Sequence, residues 1–106
     1  ALVPPPPQIN EMAQLAIEMI HNSLDAFLRQ DVDLAHGLTA TDDRVDELED
    51  LLRAEIIALA KTDPARVEAA MDMLDVVHAL ERAADRATNI GERVIYLVTS
   101  NVETIN

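Results

Sequence analysis

From Ile9 onward the chain is almost free of helix breakers: it holds one proline, Pro64, and two glycines, Gly37 and Gly91. Ala, Leu, Glu, Met and Arg dominate the same stretch, and these are the residues that cost least in a helix. An all-α fold follows. The other four prolines stand together as Pro4-Pro5-Pro6-Pro7, where fixed φ and missing N–H groups favour polyproline II and keep the segment out of a helix interior. Residues 1–8 therefore read as an extended or mobile Pro-rich interdomain linker, and residues 9–106 as one domain, a length that supports a single compact core.

Hydrophobic periodicity divides that domain into three helices. The first is expected over about 9–29, with Met12, Leu15, Ala16, Met19, Ser23 and Phe27 near the i, i+3, i+4, i+7 spacing and Glu11, Glu18, Asn22 and Asp25 on the other side. Gln30 and Asp31 make a short turn, and Asp31 suits the N-cap of a second helix over about 32–61 with the stripe Leu38, Val45, Leu48, Leu52, Ile56 and Leu59. Thr62 and Asp63 are cap candidates for a third helix over about 64–99, which opens on Pro64, where a missing N–H costs least. Its core-facing line is expected to be Leu80, Ala83, Ala87, Ile90, Val94 and Leu97. Short connections make neighbouring helices antiparallel, so the architecture is an up-down-up three-helix bundle. The methionines read as core or boundary residues, His21 and His36 as surface residues, and the two glycines as points of close helix approach.

Charge excludes several functions. Twenty acidic residues against eight Lys plus Arg give a formal net charge of −12, which disfavours nucleic acid and anionic lipid and favours cations or basic partners. The absence of cysteine removes thiolate chemistry and disulfides. No apolar run reaches the roughly 18 residues of a membrane span, so no membrane insertion is expected. Two aromatic residues, Phe27 and Tyr96, offer little stacking surface for an organic cofactor. No HExxH, phosphate-cradling loop, GxSxG or Ser/His/Asp-like cluster is present, and the expectation is a protein without catalytic activity.

The remaining chemistry is in carboxylates. Asp42-Asp43-Arg44-Val45-Asp46-Glu47-Leu48-Glu49-Asp50 puts six acids and one base in nine residues. Such runs commonly form solvated faces, yet Asp42 and Glu49 fall near the centre of the apolar stripe and Asp46 at its margin, where a carboxylate needs a partner. On the third helix His78, Glu81, Asp85, Thr88, Asn89 and Glu92 form one polar line. If the turn is centred between Thr62 and Asp63, antiparallel residues at one level carry numbers summing to about 125. Asp42/Asp46 then lies beside Glu81/Asp85, within about one helical turn. Four carboxylates at one level repel, and a hard cation relieves them. Glu49 and His78 pair one turn further along, either extending the site or forming an exposed salt bridge. Oxygen ligands suit magnesium, calcium, manganese or iron better than zinc. Arg86 is an alternative neutralising group. The di-iron oxidase spacing, with His three residues after Glu, is absent: here His78 precedes Glu81.

The segment Leu80-Glu81-Arg82-Ala83-Ala84-Asp85-Arg86-Ala87-Thr88-Asn89-Ile90-Gly91-Glu92-Arg93-Val94-Ile95-Tyr96-Leu97-Val98-Thr99 resembles the closing signature of the PhoU family of phosphate-uptake regulators. Met12 with its Ala-rich surroundings and Asp42-x-x-Val45-Asp46-x-Leu48 fit the same family, so the resemblance runs from Met12 to Thr99. It implies one three-helix half of a two-half protein, most like the second. It also implies metal binding, iron or zinc included, by an acid followed four residues on by Asp, a pattern matched by Asp42/Asp46 and Glu81/Asp85 with Asn89 as candidate support. Two departures stand out: Arg86 replaces a common His, and Ala83 a common bulky aliphatic. The implied role is cytoplasmic and regulatory, in phosphate uptake and phosphate-starvation signalling, through the ATPase subunit of a phosphate ABC transporter and a sensor histidine kinase. Self-association as a homodimer is expected across surface that includes Leu74, Val77, Ile95 and Tyr96. The alternative is a metal-binding or metal-sensing bundle without transporter coupling.

Overall fold

A computed structural model describes the backbone of residues 3–105 and the side chains of residues 3–100. Three helices, α1 (Pro7–Arg29), α2 (Val32–Thr62) and α3 (Val67–Ile105), form an antiparallel bundle measuring 64 × 17 × 17 Å, with no strand among the described residues. The expected fold class holds. Of residues 1–8, Ala1 and Leu2 lie outside the described residues, and Pro7 and Gln8 belong to α1 rather than to an extended segment. Proline is tolerated there because the first helical N–H has no intrahelical acceptor. Val3 packs against the core, and the proline run leans on the last turns of α2 near Ile56, Leu59 and Thr62.

Each turn has a local cause. Gln30 closes α1 in the left-handed conformation (φ 52°, ψ 42°). There the Asp31 N–H donates to the Ala26 carbonyl at 2.9 Å and the Gln30 N–H to that of Phe27 at 3.3 Å, a Schellman ending. Asp31 then caps α2, its carboxylate accepting the Leu34 N–H at 3.0 Å. At the other end Asp63 accepts the Ala65 N–H at 3.0 Å and starts a short 3-10 turn, Pro64–Arg66, that leads into α3. Pro64 thus heads this turn rather than α3 itself, and α3 continues past the expected end at Thr99.

The core runs through Met12 and Met19 of α1, Leu38, Val45, Leu48, Leu52 and Ile56 of α2, and Val77, Ala84 and Ala87 of α3. A smaller cluster of Ala26, Ala35 and Val94 closes the end beside the α1–α2 turn. Two expected faces are corrected. On α3 the innermost residues are Val77, Ala84, Ala87, Gly91 and Val94, while Leu80, Ala83 and Ile90 are half-buried and Leu97 is 47% exposed. Small side chains explain the rotation. Ala84 and Gly91 let α3 approach α2 closely, and a Cβ on Gly91 would lie 2.7 Å from Leu38 Cδ1. Val77, expected on open surface, is therefore core. On α1 the small Ala26 is buried and Phe27 is turned outward. Gly37 has nothing within 4 Å of its would-be Cβ, so close approach explains Gly91 alone.

Candidate metal centre

The contact of Gly91 with Ala35 and Leu38 fixes the α2/α3 register. It sets Asp42 level with Asp85 and Asp46 level with Glu81, within two residues of the level expected from the turn. Because α3 is rotated, Glu81 and Thr88 sit half-buried against α2, while Asp85 stays at the outer lip. The four acids thus border one groove from two helices.

Their electrostatics show the crowding. Asp42 is half-buried, and its Oδ1 is shielded from solvent with no hydrogen-bond partner. Burial, then the charges of Asp46, Asp85 and Asp43, push its carboxyl above the ordinary aspartate range. Asp46, although exposed, is raised by desolvation first and then by Asp85, Asp43 and Asp50. Glu81 is raised furthest, from 4.5 to about 7. The leading cause is a hydrogen bond in which protonated Glu81 donates to the Asp85 carboxylate; burial and the charges of Asp85, Glu49 and Asp46 add to it. Asp43 and Asp50, not singled out by spacing, thus feed the groove's field, and the signal for them was the density of acids over residues 42–50.

Among the described residues no arginine is ion-paired with any of these four acids. Arg44 turns to Glu11 of α1 at 2.9 Å and to Glu47 at 3.2 Å. Arg53 takes Glu49 at 3.4 Å, so Glu49 pairs along its own helix and not with the exposed His78 across the groove. Arg86, the alternative neutralising group, borders a different groove with Ile20, Ala83 and Ile90, between α1 and α3. Asn89 is exposed one turn beyond Asp85, beside Glu92, Arg93 and Tyr96. Thr88 directs its hydroxyl to the Asp85 carbonyl at 2.7 Å.

As the side chains lie, no three His, Asp or Glu residues converge on one point among the described residues. The donor set is nevertheless all oxygen, sits on two rigid helices in i, i+4 pairs about 6 Å apart, and includes an orphaned buried oxygen on Asp42. These properties fit a hard cation drawn in by rotamer changes at the exposed Asp46 and Asp85, the latter giving up its hydrogen bond from Glu81.

An antiparallel three-helix unit with an acidic groove between its second and third helices defines a class of small helical domains. The PhoU domain model matches residues 9–94, and the chain belongs to that family. Among its relatives are proteins named phosphate-specific transport system accessory protein PhoU homolog. The one from Clostridium acetobutylicum is 33% identical over 93% of this chain and 45% of its own length. That from Deinococcus radiodurans is 33% identical over 90% of this chain and 45% of its own, and that from Streptococcus pneumoniae 30% identical over 99% and 49%. The chain spans about half the length of the curated relatives it matches. No helix among the described residues is long and apolar enough to cross a membrane.

Proposed function

We propose that this unit is a non-catalytic accessory domain of phosphate uptake, a negative regulator that binds other proteins in the cytoplasm. The family match over 9–94, with relatives named for phosphate-specific transport, carries the reading. By the same resemblance its partners are the ATPase subunit of a phosphate ABC transporter and a sensor histidine kinase. The test is a pull-down of transporter and kinase by the 106-residue chain, with a full two-half relative in parallel. Retention of either partner supports the reading; retention by the relative alone shows that this unit is insufficient by itself.

A second property accompanies the first. Asp42, Asp46, Glu81 and Asp85 would hold a divalent or trivalent cation such as iron, manganese, magnesium or calcium, with zinc less suited to oxygen donors. Glu49, His78 and Asn89 are further candidates for its support, Glu49 only on release from Arg53. The bound ion would supply positive charge that cancels the repulsion and locks α2 to α3. The supporting observation is the partnerless Asp42 oxygen beside three like charges. Manganese, calcium or iron should raise the melting temperature of the wild type at neutral pH. Asp42→Asn and Asp85→Asn should stabilise the metal-free protein and abolish that rise. If no cation raises the wild-type melting temperature, the acids act only through their charge. A bundle that binds a cation but retains neither protein partner would favour a metal-sensing role without transporter coupling.

A further inference from the structure

Helix α1 is too short to accompany α2 along its whole length. It holds 23 residues against 31 in α2, and with the α1–α2 turn at Gln30 and Asp31, Pro7 stands level with about residue 54 of α2. The last two turns of α2 therefore run on past the start of α1, over about 12 Å. Residues 3–6 take that place. Four residues in polyproline II cover about 12 Å at roughly 3.1 Å each, Pro6 has that conformation (φ −56°, ψ 143°), and the segment lines a groove with α2 residues from Glu55 to Thr62.

Its composition suits this seat. Pro4, Pro5 and Pro6 carry no N–H, so the run lies on an apolar groove without orphaning a donor, and their fixed φ leaves little backbone freedom to lose on docking. Val3 is half-buried and packs against the core cluster that contains Ile56, with Leu59 and Ala60 at its edge. The hold is nevertheless slight. Pro4 and Pro5 are exposed, and a groove of about 490 Å³ stays open between the prolines and Ile56, Ala58 and Leu59. The Pro6 carbonyl accepts from the Ile9 N–H at 3.1 Å, on α1 and not on α2. Segments held by few apolar contacts open far more readily than the whole molecule unfolds.

We propose that residues 3–6 form a releasable strap, a conformational switch at this end of the bundle. Docked, it stands in for α1 over the last two turns of α2 and covers Ile56 and Leu59. Released, it uncovers an apolar patch at the α2–α3 corner and lets those turns, and the 3-10 turn after them, loosen. Whatever draws the strap away opens that corner. Nothing in this packing draws on phosphate uptake or on a bound cation, so the strap stands independently of both.

Native-state hydrogen exchange on the intact chain tests it. Val3→Asp, which puts a charge on the apolar seat, should speed exchange of the amides of residues 56–63 about tenfold and leave those around Val45 and Ala87 at wild-type rates. Replacing Pro4, Pro5 and Pro6 together by Gly should act the same way, by giving the released strap more backbone freedom to lose on docking. Val3→Leu should exchange as the wild type does. Leu59→Cys, in a chain without other cysteine, should react with a thiol reagent about tenfold faster when Val3→Asp is added. Exchange over residues 56–63 unchanged in both strap variants overturns the proposal, since the strap would then cover nothing. So does a rise spread evenly over all three helices, since residues 3–6 would then be an inseparable part of the core.

Discussion

Gly37 and Gly91 occupy the interiors of two helices, where glycine costs roughly 1 kcal/mol relative to alanine, but only one has a steric reason to be there. Gly37 faces open space, so Gly37→Ala should add about 1 kcal/mol and raise the melting temperature by about 4 °C. The same change at Gly91 drives a methyl into Leu38, a buried core residue, and gains nothing or loses stability. Thermal denaturation of the two variants side by side checks the difference. The sequence showed that two glycines were out of place in helices; which one touched a neighbour depended on the rotation of α3, set by residues on another helix. A similar limit applied at Asp42. Its position on the apolar stripe was legible, but that Oδ1 ends buried without a hydrogen-bond partner depends on the packing around it, which the spacing of one helix does not give.

At the scale of elements, the α1–α2 turn carries a conformational cost that one substitution removes. Gln30 holds φ 52°, a region that a side chain other than Gly, Asn or Asp enters only at a cost. Gln30→Gly keeps the Schellman hydrogen bonds and should stabilise the bundle by about 0.5–1 kcal/mol. Urea denaturation should show a higher midpoint with unchanged slope. The helices themselves were legible because long periodic stretches end at Asp31 and Asp63, residues whose carboxylates do cap. The α2/α3 register followed from the tight connection between them. The facing of α3 did not: Ala83, Ala84 and Ala87 look alike to a hydrophobic pattern, and close packing by Ala84 and Gly91 decided between them. A second, outward-facing apolar stripe of α1 was missed for a related reason. Periodicity finds the stripe that enters the core, and Ile17, Leu24 and Leu28 are interleaved with it.

For the whole molecule the raised carboxyls give stability an unusual pH dependence. Glu81 titrates near 7 when folded and near 4.5 when unfolded, so across that window folding takes up a proton. Asp42 and Asp46 shift in the same direction. Stability should therefore fall as pH rises from about 5 to about 7.5, with the penalty complete above the folded value. Metal-free protein should melt several degrees higher at the acidic end. Glu81→Gln should flatten the profile, because the amide carries no charge at any pH. A melting temperature that climbs with pH over the same window would contradict the crowded-carboxylate picture. A saturating cation should also flatten the profile by stabilising the ionised groove.

The bundle is only 17 Å across, yet crowded carboxylates border the α2/α3 groove while Arg82, Arg86 and Arg93, in no ion pair among the described residues, lie along α3 towards and beside its α1 side. The long rod is thus polarised crosswise. In the field of a charged surface it experiences a torque about its long axis, so it arrives already rolled to one side. A negatively charged target meets the arginine side and a positively charged one the acidic groove. A cation held in that groove reduces the crosswise moment, so occupancy would alter how the domain rolls as it approaches, before any contact is made.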